Sequence, residues 1–63
     1  MESGWLLERR PNGGGVVWLM ISGGMWEWTT DSLKALRLAR RQDADALAEI
    51  IEEAEYVTEH TWE

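Results

Sequence analysis

The one histidine of the chain, His60, stands beside Glu59 in the closing run Tyr56-Val57-Thr58-Glu59-His60-Thr61-Trp62. An imidazole next to a carboxylate is the raw material of acid/base or metal chemistry. A metal site needs more ligands at helical or hairpin spacing, and the sequence has no second His and no Cys. In an extended segment, adjacent side chains also point to opposite faces. The pair therefore reads as ordinary sheet-face residues. The run Gly13-Gly14-Gly15 is the other chemical suggestion, as a phosphate cradle. Such a loop needs a helix N-terminus behind it and commonly a Lys. Here the β-branched run Val16-Val17 follows, so a hairpin turn is the better reading. No nucleophile–base pair can be assembled. The sequence predicts no catalytic site, no metal site and no cofactor.

The carboxylates carry more information. Residues 43–63 hold eight acids and no Lys or Arg, whereas residues 1–42 hold all six basic residues and four acids, within a total charge of −6. One-sign surfaces steer encounters with oppositely charged partners. Asp45, Glu49, Glu52 and Glu53 are the candidate partner-binding acids. On a helix, positions 45, 49 and 52 fall at i, i+4 and i+7, roughly 6–11 Å apart at a rise of about 1.5 Å per residue. That is close to the spacing of successive phosphates. A charged helix face is also a common device for solubility, but the mixed-sign pattern of a plain surface is missing from this half. The same charge would repel free nucleic acid.

Five Trp residues and no Phe make the indoles the natural core material of so short a chain. Trp5 and Trp18 are assigned to the core. Trp26 and Trp28 flank Glu27 beside a Gly-Gly break, and at least one of them is expected to be partly exposed as an interface anchor. Trp62 packs either on the sheet or on a second subunit. Arg9, Arg10, Lys34, Arg37, Arg40 and Arg41 read as solvated charges or as a patch complementary to the acids of another copy.

These residues must be placed by few elements, because sixty-three residues make one small domain, 1–63. Residues 5–10 read as a first strand and 16–21 as a second, joined by the Pro11–Gly15 turn cluster. Residues 25–28 resume an alternating pattern, with both indoles on one side if extended. Thr30 or Asp31 marks a helix start. From Ser32 to Ala54 no Gly or Pro intervenes, so one long helix is the simplest reading. Its apolar stripe, however, passes through Arg40 and Asp43, and Leu36 and Leu38 alternate around Arg37. A helical turn at 31–34, a strand at 35–39 and a helix at 41–54 fit better. In that helix Ala44, Leu47, Ala48 and Ile51 form an apolar face, widened by Ile50 and Ala54. Residues 56–62 form a closing strand, with Tyr56, Thr58, His60 and Trp62 on one face. The predicted fold is α+β: a small antiparallel sheet of three to four strands with one helix on one face, in the order β-β-β-α-β. A hairpin followed by a two-helix unit is the alternative.

The run W-T-T-D-S-L-K-A-L-R-L-A-R-R-Q-D-A-D-A-L-A resembles a pattern in small phage and prophage proteins. There a W-T-x-D turn leads to a short strand and then to a helix that opens on an acid followed by Ala. Trp28, Thr29, Asp31, Ala35, Leu38, Asp43 and Ala44 carry the match, and the closing T-E-H-T-W adds to it. These stretches cover under half of the chain. The resemblance implies an anti-CRISPR or other anti-defence inhibitor, and it supports the strand at 35–39. The expected function is a phage-type inhibitor that blocks a basic groove of a host nucleic-acid-handling complex by occupation. Its partner would be a host protein or nucleoprotein, with no direct nucleic-acid contact and no membrane. The alternative is a structural or regulatory adaptor, as a single chain or as a homodimer. The acid-bearing N-terminus MESGWLLERR is unlike a secretory signal, and the longest apolar run falls far short of about 20 residues, so a cytoplasmic location is expected.

Overall fold

A computed structural model of the protein describes residues 2–62. Four strands and a helix follow one another as β1 (Glu2–Arg9), β2 (Val17–Ser22), β3 (Met25–Thr29), α1 (Arg41–Ile50) and β4 (Tyr56–Trp62). The strands form one antiparallel sheet in the order β3-β2-β1-β4. This is the expected α+β architecture with the expected element order.

The β2–β3 connection is a two-residue loop between the paired Ser22 and Met25. Gly23 and Gly24 have φ of 59° and 79°. Positive φ at both loop positions matches the right-handed twist of the flanking strands, and glycine reaches it without a Cβ clash. The break at Gly23-Gly24 is thus a hairpin turn, and the third strand is Met25–Thr29.

Residues 35–39, predicted as that third strand, are neither strand nor helix. The alternation is real: Leu36 and Leu38 pack toward the helix-side core, while Arg37 lies over Trp62 on the other face. The ladder is too short. Beyond Glu8↔Trp18, β1 and β2 stop pairing, and the segment enters the gap. Leu38 exchanges both backbone hydrogen bonds with Trp5 of β1, at 2.8 and 3.0 Å, and the Leu36 N–H donates to the Leu19 carbonyl of β2 at 2.9 Å. A segment held to two diverging strands at different levels makes one bridge rather than a continuous ladder. Before it, the Lys34 N–H donates to the Asp31 carbonyl at 3.0 Å, closing the turn expected at 31–34.

The helix is shorter than predicted. It ends at Ile50, with Ile51 as an extended C-cap whose N–H donates to the Leu47 carbonyl. Ala54 and Glu55 are then tied elsewhere, the Glu55 N–H to the Glu8 carbonyl of β1 at 3.0 Å. The chain must reverse here to enter β4, so residues 52 and 53 form the turn. Ten residues would not hold a helix alone. Packing holds it: Ala44 and Ile51 are buried with Leu7 and Leu19, and Leu47, Ala48 and Ala54 pack around them together with Trp5, Trp28 and Val57. Ile50 does not widen this face; it is 71% exposed. The helix lies over β1 and β4.

The opposite sheet face is packed only by the side chains of the sheet itself. Leu6, opposite Thr58, is fully buried there. Trp18 lies on this face rather than in the helix-side core, while Trp5 joins that core as expected; both are half-buried. Tyr56, Thr58, His60 and Trp62 share the open face, as their alternation predicts.

Candidate functional site

Two surfaces and one buried network compete for the role of site. The network centres on Glu8, a carboxylate only 5% exposed. It accepts hydrogen bonds from Trp18 Nε1 at 3.2 Å, Arg10 Nε at 3.0 Å and Thr58 Oγ1 at 3.4 Å. Arg10 Nη2 closes an ion pair with it at 2.9 Å. A buried charge is tolerated when paired and hydrogen-bonded in this way. His60 Nε2 lies 3.2 Å from Thr58 Oγ1. The imidazole meets Trp18 edge-on at 5.3 Å and stacks on Trp62 at 5.9 Å. The order of groups is His–Thr–Glu, so the hydroxyl sits between imidazole and carboxylate. A nucleophilic triad has the imidazole in the middle, oriented by the carboxylate. The arrangement here braces the face and does not activate Thr58. Glu59 points to the other face, opposite Trp5, as the alternation requires. Among the described residues no group of three or more His, Cys, Asp or Glu side chains could hold a metal ion, and no helix is long and apolar enough to cross a membrane.

The acidic surface differs from its prediction in shape. Asp45 and Glu49 are one turn apart on α1, but Glu52 and Glu53 fall in the turn after it. A single helical stripe through positions 45, 49 and 52 therefore does not form. All four acids are exposed. Asp45 is partly neutralised by Arg41 at 3.7 Å, and Asp43 by Arg40 at 3.1 Å.

The arginines explain why the acids dominate. Each guanidinium is engaged within the chain. Arg9 lies 5.9 Å from the Trp28 ring, Arg10 4.4 Å from Tyr56, Arg37 3.9 Å from Trp62 and Arg41 5.6 Å from Trp5. Arg37 also pairs with Glu2 at 3.0 Å, and Arg40 with Asp43. Such contacts contribute modestly at exposed sites, yet they fix where the positive charge sits. Among the described residues, Glu49, Glu52, Glu53 and Glu59 form no ion pair.

The apolar surface is the β2–β3 hairpin. Trp26 is 52% exposed and sits opposite Ile21, itself 48% exposed. Met25 beside the turn is 71% exposed. Trp28 shares a face with Trp26 but is half-buried against the core. Trp26 and Trp28 are thus together on β3, while the acids sit on and after a helix that lies over the opposite half of the sheet. The two predicted groups do not form one patch. Glu8 and Ile21 were missed: only strand register reveals that an acid in a leucine strand faces an indole, or that an isoleucine shares a shelf with Trp26.

No family model, curated protein or solved structure gives a significant match to this chain.

Proposed function

We propose that this protein is a non-catalytic inhibitor that occupies a basic groove on a host nucleic-acid-handling complex, in the manner of an anti-CRISPR protein. One observation supports the reading above others. The arginines are held by the chain's own aromatics and acids, while Glu49, Glu52, Glu53 and Glu59 stand exposed with no cationic partner among the described residues. A protein of charge −6 with its arginines so engaged presents a field that accelerates encounter with a basic surface and weakens with salt.

The test is plaquing of phage on a host with an active CRISPR system. The host expresses either the parent protein or the Glu49→Lys/Glu52→Lys variant. Both positions are exposed, so the variant keeps its fold, and circular dichroism checks that. Protection by the parent and its loss in the folded variant is the expected outcome. Equal protection by both places the contact elsewhere, and no protection across several CRISPR types removes the inhibitor reading.

The adaptor reading has its own support in the exposed Ile21, Met25 and Trp26. Ile21 and Trp26 face one side of this hairpin and Met25 the other, and exposed apolar side chains of this kind are a common seat for a second copy. Sedimentation over a concentration series checks it. A mass constant at that of one chain, 7.3 kDa, counts against a homodimer.

A further inference from the structure

The free edge of β3 has a readable hydrogen-bonding code. In a two-residue hairpin the residues flanking the loop exchange hydrogen bonds, and the pattern then alternates along the ladder. Ser22↔Met25, Met20↔Glu27 and Trp18↔Thr29 are therefore the bonded pairs, while Ile21↔Trp26 and Leu19↔Trp28 are the unbonded ones. Leu19 confirms this phase, because its carbonyl points away from β3 and accepts from Leu36. It follows that the N–H and C=O groups of Trp26 and Trp28 point outward at the sheet edge. β3 is a terminal strand of the sheet. It carries none of the devices that blunt an edge: no Lys, no Pro and no bulge.

We propose that the β3 edge accepts an extended segment of a partner protein in which a Lys or Arg is flanked by two apolar residues. An antiparallel segment bonded to the backbone of Trp26 and Trp28 sets its own alternate residues beside those indoles. Its two apolar side chains then lie beside Trp26 and Trp28, on the face those indoles share with Ile21. The residue between them falls opposite Glu27, in an unbonded pair, where side chains approach most closely. Glu27 is exposed and forms no ion pair among the described residues. Charge complementarity therefore asks for a cation at that position.

The same geometry disfavours a second copy. Pairing Trp26 with Trp28 of a symmetry mate sets Glu27 against Glu27 in that closest position, and like charges directly opposite destabilise a ladder. The chain also contains an internal precedent. Leu36-Arg37-Leu38 has the apolar–basic–apolar pattern. It lies in the gap between β1 and β2, bonds to the Trp5 backbone and pairs Arg37 with Glu2 across the face. There too the basic residue of a segment held by free strand backbone groups pairs with an exposed acid.

The inference shares with the inhibitor reading only the basic character of the partner, and it uses a different surface. The experiment keeps the two apart. Short capped peptides with Val-Lys-Val or Val-Glu-Val at their centre are titrated into the full-length protein. Backbone amide shifts and hydrogen exchange are then followed by NMR. The expected result is slowed exchange at Trp26 and Trp28, little change at Glu27, and a preference of about fivefold for the lysine peptide. Glu27→Lys reverses that preference, whereas Glu49→Lys/Glu52→Lys leaves it intact. Trp26→Val and Trp26→Pro both shorten the shelf, but only proline removes the outward N–H, so proline weakens binding further. If Trp26→Pro disturbs the fold, the parent's amide protection pattern carries the test alone. Shifts confined to α1, absence of a charge preference, or exchange slowed by protein concentration without peptide would each overturn the proposal, the last in favour of a second copy.

Discussion

The two halves of the sheet are built on different terms. β1 pairs with β4 through all but its last residue, from Glu2↔Trp62 to Glu8↔Tyr56, and the helix covers both strands. β2 joins β1 only at Glu8↔Trp18 and Arg9↔Val17 before diverging. The first half contains Leu6 and Leu7, almost fully buried, and the buried Glu8; the hairpin half exposes Ile21, Met25 and Trp26. The contrast teaches where stability and presentation reside. A chain this small buries roughly 60% of its unfolded surface. It concentrates that burial on one central strand and leaves a hairpin projecting with apolar side chains in water.

The largest effect should come from the centre of the covered half. Leu7 is 1% exposed and packs with Ala44 and Ile51. Leu7→Ala is expected to cost about 2–5 kcal/mol, which for a domain of this size leaves a mostly unfolded chain by circular dichroism. Ile21→Ala, at the hairpin, is expected to cost under about 1 kcal/mol. Comparable losses would mean that the hairpin tip is core after all, and the contrast would fail.

Glu8 gives the next effect. Glu8→Ala leaves the indole N–H of Trp18 and the hydroxyl of Thr58 without their acceptor, on a half-buried face. A loss of about 1–3 kcal/mol is expected in urea unfolding. Glu8→Gln keeps an acceptor oxygen and should lose less. Equal losses would show that charge, and not hydrogen bonding, holds the open face together.

The turn comes third. Gly23→Ala places a Cβ at a φ of 59°, in the left-handed region. A cost of roughly 1–2 kcal/mol follows from that conformation, although open space surrounds the site. The loss should appear as faster amide exchange through β2 and β3, with β1 and β4 unchanged. Uniform acceleration would mean that the two halves unfold as one unit.

Least of all is expected from the acids. Glu49→Lys/Glu52→Lys should shift stability by no more than about 0.5 kcal/mol. A larger change would mean that these side chains hold the helix end rather than face a partner.

Much of this molecule was legible in its residues. The hairpin-forming runs, the apolar face Ala44-Leu47-Ala48-Ile51 and the alternation of Tyr56 to Trp62 are local periodicities. Periodicity reports directly which side of an element is wet. The composition also established the division between a basic front and an acidic back. Tertiary structure decided the rest. The reading of residues 35–39 failed because Leu36 and Leu38 alternate as a strand does, yet the available partners are two diverging strands. The helix stopped at Ile50 because the chain must turn toward the Glu8 carbonyl, and no helix-breaking residue marks that place in the sequence. The engagement of the arginines, the burial of Glu8 and the outward backbone of Trp26 and Trp28 all depend on register across the sheet. Register is a relation between residues far apart in the chain. A pattern within one segment determines its faces, whereas its neighbours are decided only when the strands meet.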